Sequence, residues 1–237
     1  MNNRSFLNLI YMIELIIIIE RGVWMKNLIF IFLLSLVLIF SMTPAMAAQE
    51  KVQEVEINEY EGEKLGAIDD FRENSIKGIQ EIDIDEYRLV IDGLVENNMD
   101  YKYEVLQQKD HIKKVITLNC VTGWSVKALW EGIPLKLLFE EVNVKDEANT
   151  VIFYSPDGYT TSLPLSFIME NNIMIADKLN DIQLPPRQGF PFQLIAEQKY
   201  GYKWIRWITR IELSSDSEYQ GYWEEKGYSN SANLGEY

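Results

Sequence analysis

The sequence predicts a single α+β domain, rich in strands, with short helices in the connections. Short apolar runs, several of them alternating, are punctuated by turn signals such as Asp92-Gly93 and Pro156-Asp157-Gly158. Helical stretches are few and do not alternate regularly with strands, which excludes a doubly wound sheet. The chain has 237 residues, 47% hydrophobic and 12% aromatic, enough for a real core and too few for two large domains.

The elements follow in chain order. Residues 87–91 alternate as a strand does, and Asp92-Gly93 supplies the turn after it. Residues 113–121 form a second strand that ends at Cys120. Residues 125–142 predict a helix broken by Gly132 and Pro134. Residues 151–154 and 159–163 predict a hairpin across Ser155-Pro156-Asp157-Gly158, with Asp157 as a turn residue. Residues 165–171 predict a short helix, and residues 173–179, 192–196 and 204–213 predict further strands.

The remaining stretches differ in composition. Residues 1–47 are expected to be an N-terminal extension with a secretory signal. Met25-Lys26 opens a positive region, residues 28–40 are apolar apart from Ser35, and Ala45-Met46-Ala47 offers a cleavage site near Ala47. A second apolar run, 9–19, is broken by Glu14; it suggests that translation starts at Met25, the alternative being a membrane hairpin. No later apolar run is long enough to span a membrane, so the chain after cleavage is expected to lack a stable span. Residues 48–83 are rich in Glu, Lys, Asp and Gln and are expected to be a polar linker or loosely packed arm. Residues 84–228 are expected to be the functional domain and 229–237 a tail. The aromatic side chains Tyr219, Tyr222, Trp223 and Tyr228 should pack back on the domain.

Charge and rare residues exclude several functions. Lys and Arg number 22 against 36 Asp and Glu, a formal net charge of −14, which argues against a nucleic-acid partner. His111 is the only histidine, so neither a double-His zinc motif nor a His-cluster metal site is possible. It is expected at the surface before a strand. The only cysteine, Cys120, cannot form an intramolecular disulfide and is either a buried core thiol or chemically used.

An ordered series of segments resolves that choice by resemblance. Thr117-Leu118-Asn119-Cys120-Val121-Thr122-Gly123-Trp124-Ser125, followed by Trp130-Glu131-Gly132-Ile133-Pro134-Leu135, resembles the cysteine segment of the sulfite oxidase family. The likeness is strongest to the branch that includes periplasmic methionine sulfoxide reductase subunits. Residues 155–165 resemble the family's active-site tyrosine segment, and Met174-Ile175-Ala176, Leu179-Asn180 and Leu184-Pro185 its next block. Residues 188–194 and 201–207 fit the two cofactor blocks that follow, and Gly221-Tyr222-Trp223-Glu224 the motif that closes the domain.

The resemblance implies a sulfite-oxidase-type molybdopterin-binding fold and oxygen-atom transfer on a small molecule. It implies that Cys120 gives a thiolate to molybdenum, where a soft sulfur ligand is apt. The pterin supplies a further pair of sulfurs. Tyr159 would lie near the metal and hydrogen-bond an oxo, a hydroxide or the substrate, since a phenol is donor and acceptor in one group. Lys203 and Arg206 would hold the pterin phosphate. Gln188 and Gln193 stand where many relatives carry His and Arg against the cofactor; both can hydrogen-bond a pterin but neither can neutralise phosphate. Nine residues follow Tyr228, so neither a C-terminal dimerisation domain nor an N-terminal haem domain is expected. Electrons would then pass through a separate haem or quinone-linked partner.

Two functions stay open on the residues alone. One is an exported molybdenum-dependent oxidoreductase, supported by Cys120, Tyr159, Lys203 and Arg206. The other is a cofactor-free binding module on the same fold. It is supported by neutral Gln188 and Gln193 and by an export signal without paired arginines, since Arg4 and Arg21 stand alone.

Overall fold

Two five-stranded sheets carry the fold in the computed structural model, which describes residues 55–236 together with Met12. Apart from Met12, the described residues fall within one unit, Glu54–Tyr237. The expected secretory signal, the start at Met25 and the cleavage near Ala47 lie outside the described residues.

The first sheet is antiparallel. It contains β5 (Ile112–Asn119), β6 (Ser125–Pro134), β9 (Met174–Leu179), β10 (Ile182–Gln183) and β11 (Gln193–Ile195). Its order is β10-β9-β6-β5, with β11 also on β9. The second sheet contains β3 (Arg88–Gly93), β4 (Met99–Lys102), β7 (Thr150–Tyr154), β8 (Thr160–Pro164) and β12 (Arg210–Ser214), in the order β4-β3-β12-β7-β8. Only β3 and β12 pair in parallel within it. Short helices α1 (Tyr103–Leu106), α2 (Leu135–Val142) and α3 (Leu165–Asn171) fill the connections. The expected α+β, strand-rich class holds.

One core joins both sheets. Leu89, Ile91, Phe153 and Ile211 of the second sheet and Trp130, Ile133, Ile175 and Leu194 of the first are fully buried in one cluster. Each such side chain contributes about 1.5–3 kcal/mol through burial. Helix α2 adds Leu135, Leu138, Phe139 and Val142 at helical spacing.

Two expected elements are corrected. The broken helix over 125–142 is instead a strand up to Pro134 and a helix only from Leu135. Pairing decides it: β6 runs in register against β5 from Asn119↔Ser125 to Ile112↔Gly132 and against β9 on its other edge. Gly132 is required there, because a Cβ would lie 2.1 Å from the Ile175 carbonyl oxygen. The glycine that reads as a helix breaker marks a close approach of two strands. The strand expected over 204–213 is present only from Arg210. Before it, Trp204 and Trp207 anchor an irregular wall, their indole N–H groups donating to the Lys199 and Pro186 carbonyls at 3.0 and 2.8 Å. Trp207 has φ +55, which breaks the pleat.

The polar stretch before the domain is not loose where it is described. A small hairpin, β1 (Glu59–Tyr60) and β2 (Glu63–Lys64), opens it. Glu56 accepts from the backbone N–H of Ile68 and the side chain of Asn180. Ile68 and Phe71 are buried, and the Phe71 ring meets Trp130 edge-on at 5.7 Å. At the other end, Tyr222 donates its backbone N–H to Thr160, so the aromatic tail packs back on β8. Among the described residues no helix is long and apolar enough to cross a membrane.

Candidate active site

Cys120 sits at the end of β5, in the turn that leads into β6. Its N–H donates to the Trp124 carbonyl at 2.9 Å, and its carbonyl accepts from Gly123 at 3.1 Å. The thiol is partly exposed and lies 3.2 Å from Thr122 Oγ1. A sulfur on a tight turn at a sheet edge can reach a ligand without moving the core.

Tyr159 follows the turn between β7 and β8. Gly158 N–H donates to Ser155, and Asp157 accepts the backbone N–H of Tyr159 at 2.9 Å, which confirms Asp157 as a turn residue. The Tyr159 hydroxyl donates to the Tyr202 carbonyl at 2.5 Å. Burial pushes its phenol well above the ordinary value, with nearby Glu224 adding to the rise. The group therefore stays protonated and able to donate across the physiological range.

Cys120, Tyr159, Gln188, Gln193 and Arg206 line one pocket with about 660 Å³ of empty space, counting its open mouth. Gln188 ends a 3₁₀ turn, Pro186–Gln188, and Gln193 begins β11. Both are buried. Gln193 donates to the Trp204 carbonyl at 3.3 Å, but its Oε1 has no hydrogen-bond partner among the described residues. Buried Ser155 Oγ, also on the lining, has none either. An unpaired buried polar atom costs about 1–3 kcal/mol, so this wall is shaped for a polar ligand.

Arg206 is held from the arm. It donates to Glu73 at 2.6 Å, to Asn74 at 2.9 Å and to the Arg187 carbonyl at 2.8 Å. Burial alone would raise the Glu73 carboxyl, but hydrogen bonds from Ser75 and the Arg206 charge outweigh it and hold the group below its usual value. The carboxylate is thus ionised beside the guanidinium.

Lys203 is the expected site residue that does not line the pocket. It is fully buried and forms an ion pair with Glu224, which is buried as well. Its ammonium also donates to the Ser162 carbonyl at 3.0 Å and to Asn230 at 3.1 Å. An ammonium has three donors, and three partners occupy them. Burial lowers its pKa, against the opposing pull of Glu224.

The sequence reading missed the arm. Phe71, Arg72, Asn74 and Ser75 all line the pocket, together with Ser155, Trp207 and Trp223. Phe71 is the only aromatic residue between Tyr60 and Tyr87, and that isolation in a polar stretch was the available signal. His111, expected at the surface, is half-buried, with Nε2 3.4 Å from buried Asp177.

The lining suits a metal carried by an organic cofactor. Among the described residues no group of three or more His, Cys, Asp or Glu side chains could hold a metal ion. Cys120 would be one sulfur ligand, with the others supplied by the cofactor. Arg72 and Arg206 are the cations among the described lining residues.

Comparison with known proteins bears on the family and the fold. A family model described as an oxidoreductase molybdopterin binding domain matches residues 76–223. The uncharacterized oxidoreductase YuiH of Bacillus subtilis is 30% identical over 147 residues, covering 62% of this chain and 74% of YuiH. The protein-methionine-sulfoxide reductase catalytic subunit MsrP of Pseudomonas syringae pv. tomato is 26% identical over 148 residues, 55% of this chain and 44% of MsrP. The crystal structure of the sulfane dehydrogenase SoxCD from Paracoccus pantotrophus aligns with a TM-score of 0.56 at 23% identity, over 59% of this chain and 41% of that one. The chain therefore spans most of YuiH and less than half of the other two.

Proposed function

The chain belongs to the oxidoreductase molybdopterin-binding domain family, and from that premise we propose that it is an exported molybdenum-dependent oxidoreductase that moves an oxygen atom to or from a small molecule. One observation carries the proposal. Five side chains singled out by resemblance, spread from position 120 to position 206, line the same pocket. The N-terminal apolar run and its Ala45-Met46-Ala47 site support export.

When bound, the molybdenum cofactor supplies the two-electron change that accompanies oxygen-atom transfer. The chain's residues do the rest. Cys120 presents its sulfur at the pocket, where it would serve as a thiolate ligand to the metal. Tyr159, kept protonated by burial, gives its one hydroxyl proton to the Tyr202 carbonyl, so toward the substrate its oxygen offers an acceptor. Gln188 and Gln193 offer amide groups to the pterin, and the unpaired Gln193 Oε1 can accept from a ring N–H. Arg206, with Arg72, supplies positive charge for the phosphate. Phe71, Trp124, Trp207 and Trp223 wall the pocket and limit water around the reacting atoms.

The substrate reading is a neutral oxo compound, such as a sulfoxide, rather than an oxyanion. Aromatic rings make up much of the wall, and with Arg72 and Arg206 assigned to the cofactor phosphate no further cation among the described lining residues is left for an oxyanion. MsrP is named as a methionine sulfoxide reductase, which agrees with this. Electrons would reach the site through a separate haem or quinone-linked partner.

A second reading is a cofactor-free binding module. Its support is that Arg206 and Lys203 already have carboxylate partners within the chain. Elemental analysis of the full chain purified from its native host separates the two. Molybdenum near one per chain supports the oxidoreductase; a folded, metal-free protein leaves the binding module.

A further inference from the structure

Of the closing motif Gly221-Tyr222-Trp223-Glu224 only Trp223 has a part in the chemistry above, yet the Glu224 carboxylate is buried to 2% residue exposure. Burying a carboxylate is costly unless it is paired and hydrogen-bonded. Glu224 has two kinds of partner. Its Oε1 accepts from Thr161 Oγ1 at 2.9 Å and forms the ion pair with Lys203.

These two partners lie on either side of the Tyr159 hydrogen bond. Thr161 is two residues beyond Tyr159 on the strand that follows it. Lys203 is the residue after Tyr202, whose carbonyl accepts the Tyr159 hydroxyl. The motif also covers the ring: Tyr222 packs on Tyr159 with centroids 5.7 Å apart, and Trp223 lines the pocket. The segment fits closely against β8, because a Cβ on Gly221 would fall 2.3 Å from the Thr160 carbonyl oxygen.

We infer that Glu224, paired with Lys203, is a positioning residue for Tyr159: it ties the strand that carries the phenol to the turn that supplies its hydrogen-bond acceptor. Lys203 then acts on the site through Glu224 and not as a phosphate ligand, since its three donors are occupied. The inference rests on the proposed role of Tyr159, but the geometry it concerns exists without the cofactor. Charge supports the same arrangement. Besides burial, the phenol faces Glu224, Arg206, Asp157 and Tyr202, with only Arg206 favouring ionisation. Glu224 thus helps keep Tyr159 protonated and donating to the Tyr202 carbonyl.

The test labels tyrosine with 3-fluorotyrosine in the full chain without cofactor and assigns the Tyr159 fluorine signal with Tyr159→Phe. The double variant Lys203→Met/Glu224→Gln removes the ion pair while leaving no lone buried charge. Leu138→Ala, a core truncation in α2, controls for general loosening. The expected result is a shifted or broadened Tyr159 signal in the double variant and an unchanged one in Leu138→Ala. In loaded enzyme the double variant should lose roughly 10- to 100-fold in kcat with KM unchanged. A Tyr159 signal identical to the parent's in a folded double variant overturns the inference, as does an equal shift in Leu138→Ala. If the double variant fails to fold, Thr161→Val decides, because it cuts only the tie to β8. There too, an unchanged signal overturns it. A metal-free parent would sink the proposed function and leave the fluorine result standing by itself.

Discussion

Lys203 and Arg206 are three residues apart on one segment and have opposite fates. Arg206 turns to the pocket and is held at the surface by Glu73 and Asn74 of the arm. Lys203 turns inward and is held by Glu224 of the C-terminal segment. Both are cations with carboxylate partners. One is placed to meet a ligand, whereas the other has no donor left for one. The difference teaches that a basic residue in a cofactor-like segment is not by that fact a cofactor contact. What it faces depends on segments distant in the chain, residues 73–74 for one and 224–230 for the other.

The sharpest way to break that comparison is to remove each cation. Lys203→Met leaves Glu224 charged, buried and unpaired, so unfolding in denaturant should show a loss of about 3–5 kcal/mol. Adding Glu224→Gln should return most of it. Arg206→Ala loses charge-assisted hydrogen bonds at a partly exposed site, so it should cost about 1–3 kcal/mol. Its larger effect should be on cofactor retention, measured as molybdenum remaining after gel filtration. If Lys203→Met is harmless to folding and strips the metal, the two roles are exchanged.

A smaller effect lies at the far end of β5. His111 has a raised pKa, chiefly through the Asp177 carboxylate 3.4 Å from its Nε2 and against the effect of burial. The folded state therefore binds the proton more tightly than the unfolded chain. The resulting stabilisation is complete below the unfolded value of 6.5 and is lost as pH rises through the raised folded value. Denaturant midpoints from pH 5 to 9 should fall with pH by the equivalent of about 1 kcal/mol or less. His111→Gln should flatten that trend. A parent profile already flat over this range would show that the pair is not coupled.

Much of this fold was legible in the sequence where local signals and pairing agree. The hairpin across Ser155-Pro156-Asp157-Gly158 has a turn that fixes its register, and the structure keeps it. Residues 125–134 were misread because Gly132 and Pro134 look like helix breakers, while the close approach of Ile175 that requires the glycine is non-local. Residues 204–209 were misread because the tryptophans alternate like strand residues but serve to anchor a pocket wall. Of the site, the ordered motifs identified five lining residues. The arm stayed hidden because Arg72, Asn74 and Ser75 carry no periodicity, and only the fold brings them to Arg206.

The central claim is that Cys120 holds molybdenum at this pocket. The direct measurement is metal content per folded chain, parent against Cys120→Ala, with both loaded in parallel. A partly exposed thiol at a turn contributes little to the core, so the variant should melt with the parent. The account predicts molybdenum near one per chain in the parent and almost none in the variant. Equal metal in both, or none in a folded parent, would contradict it.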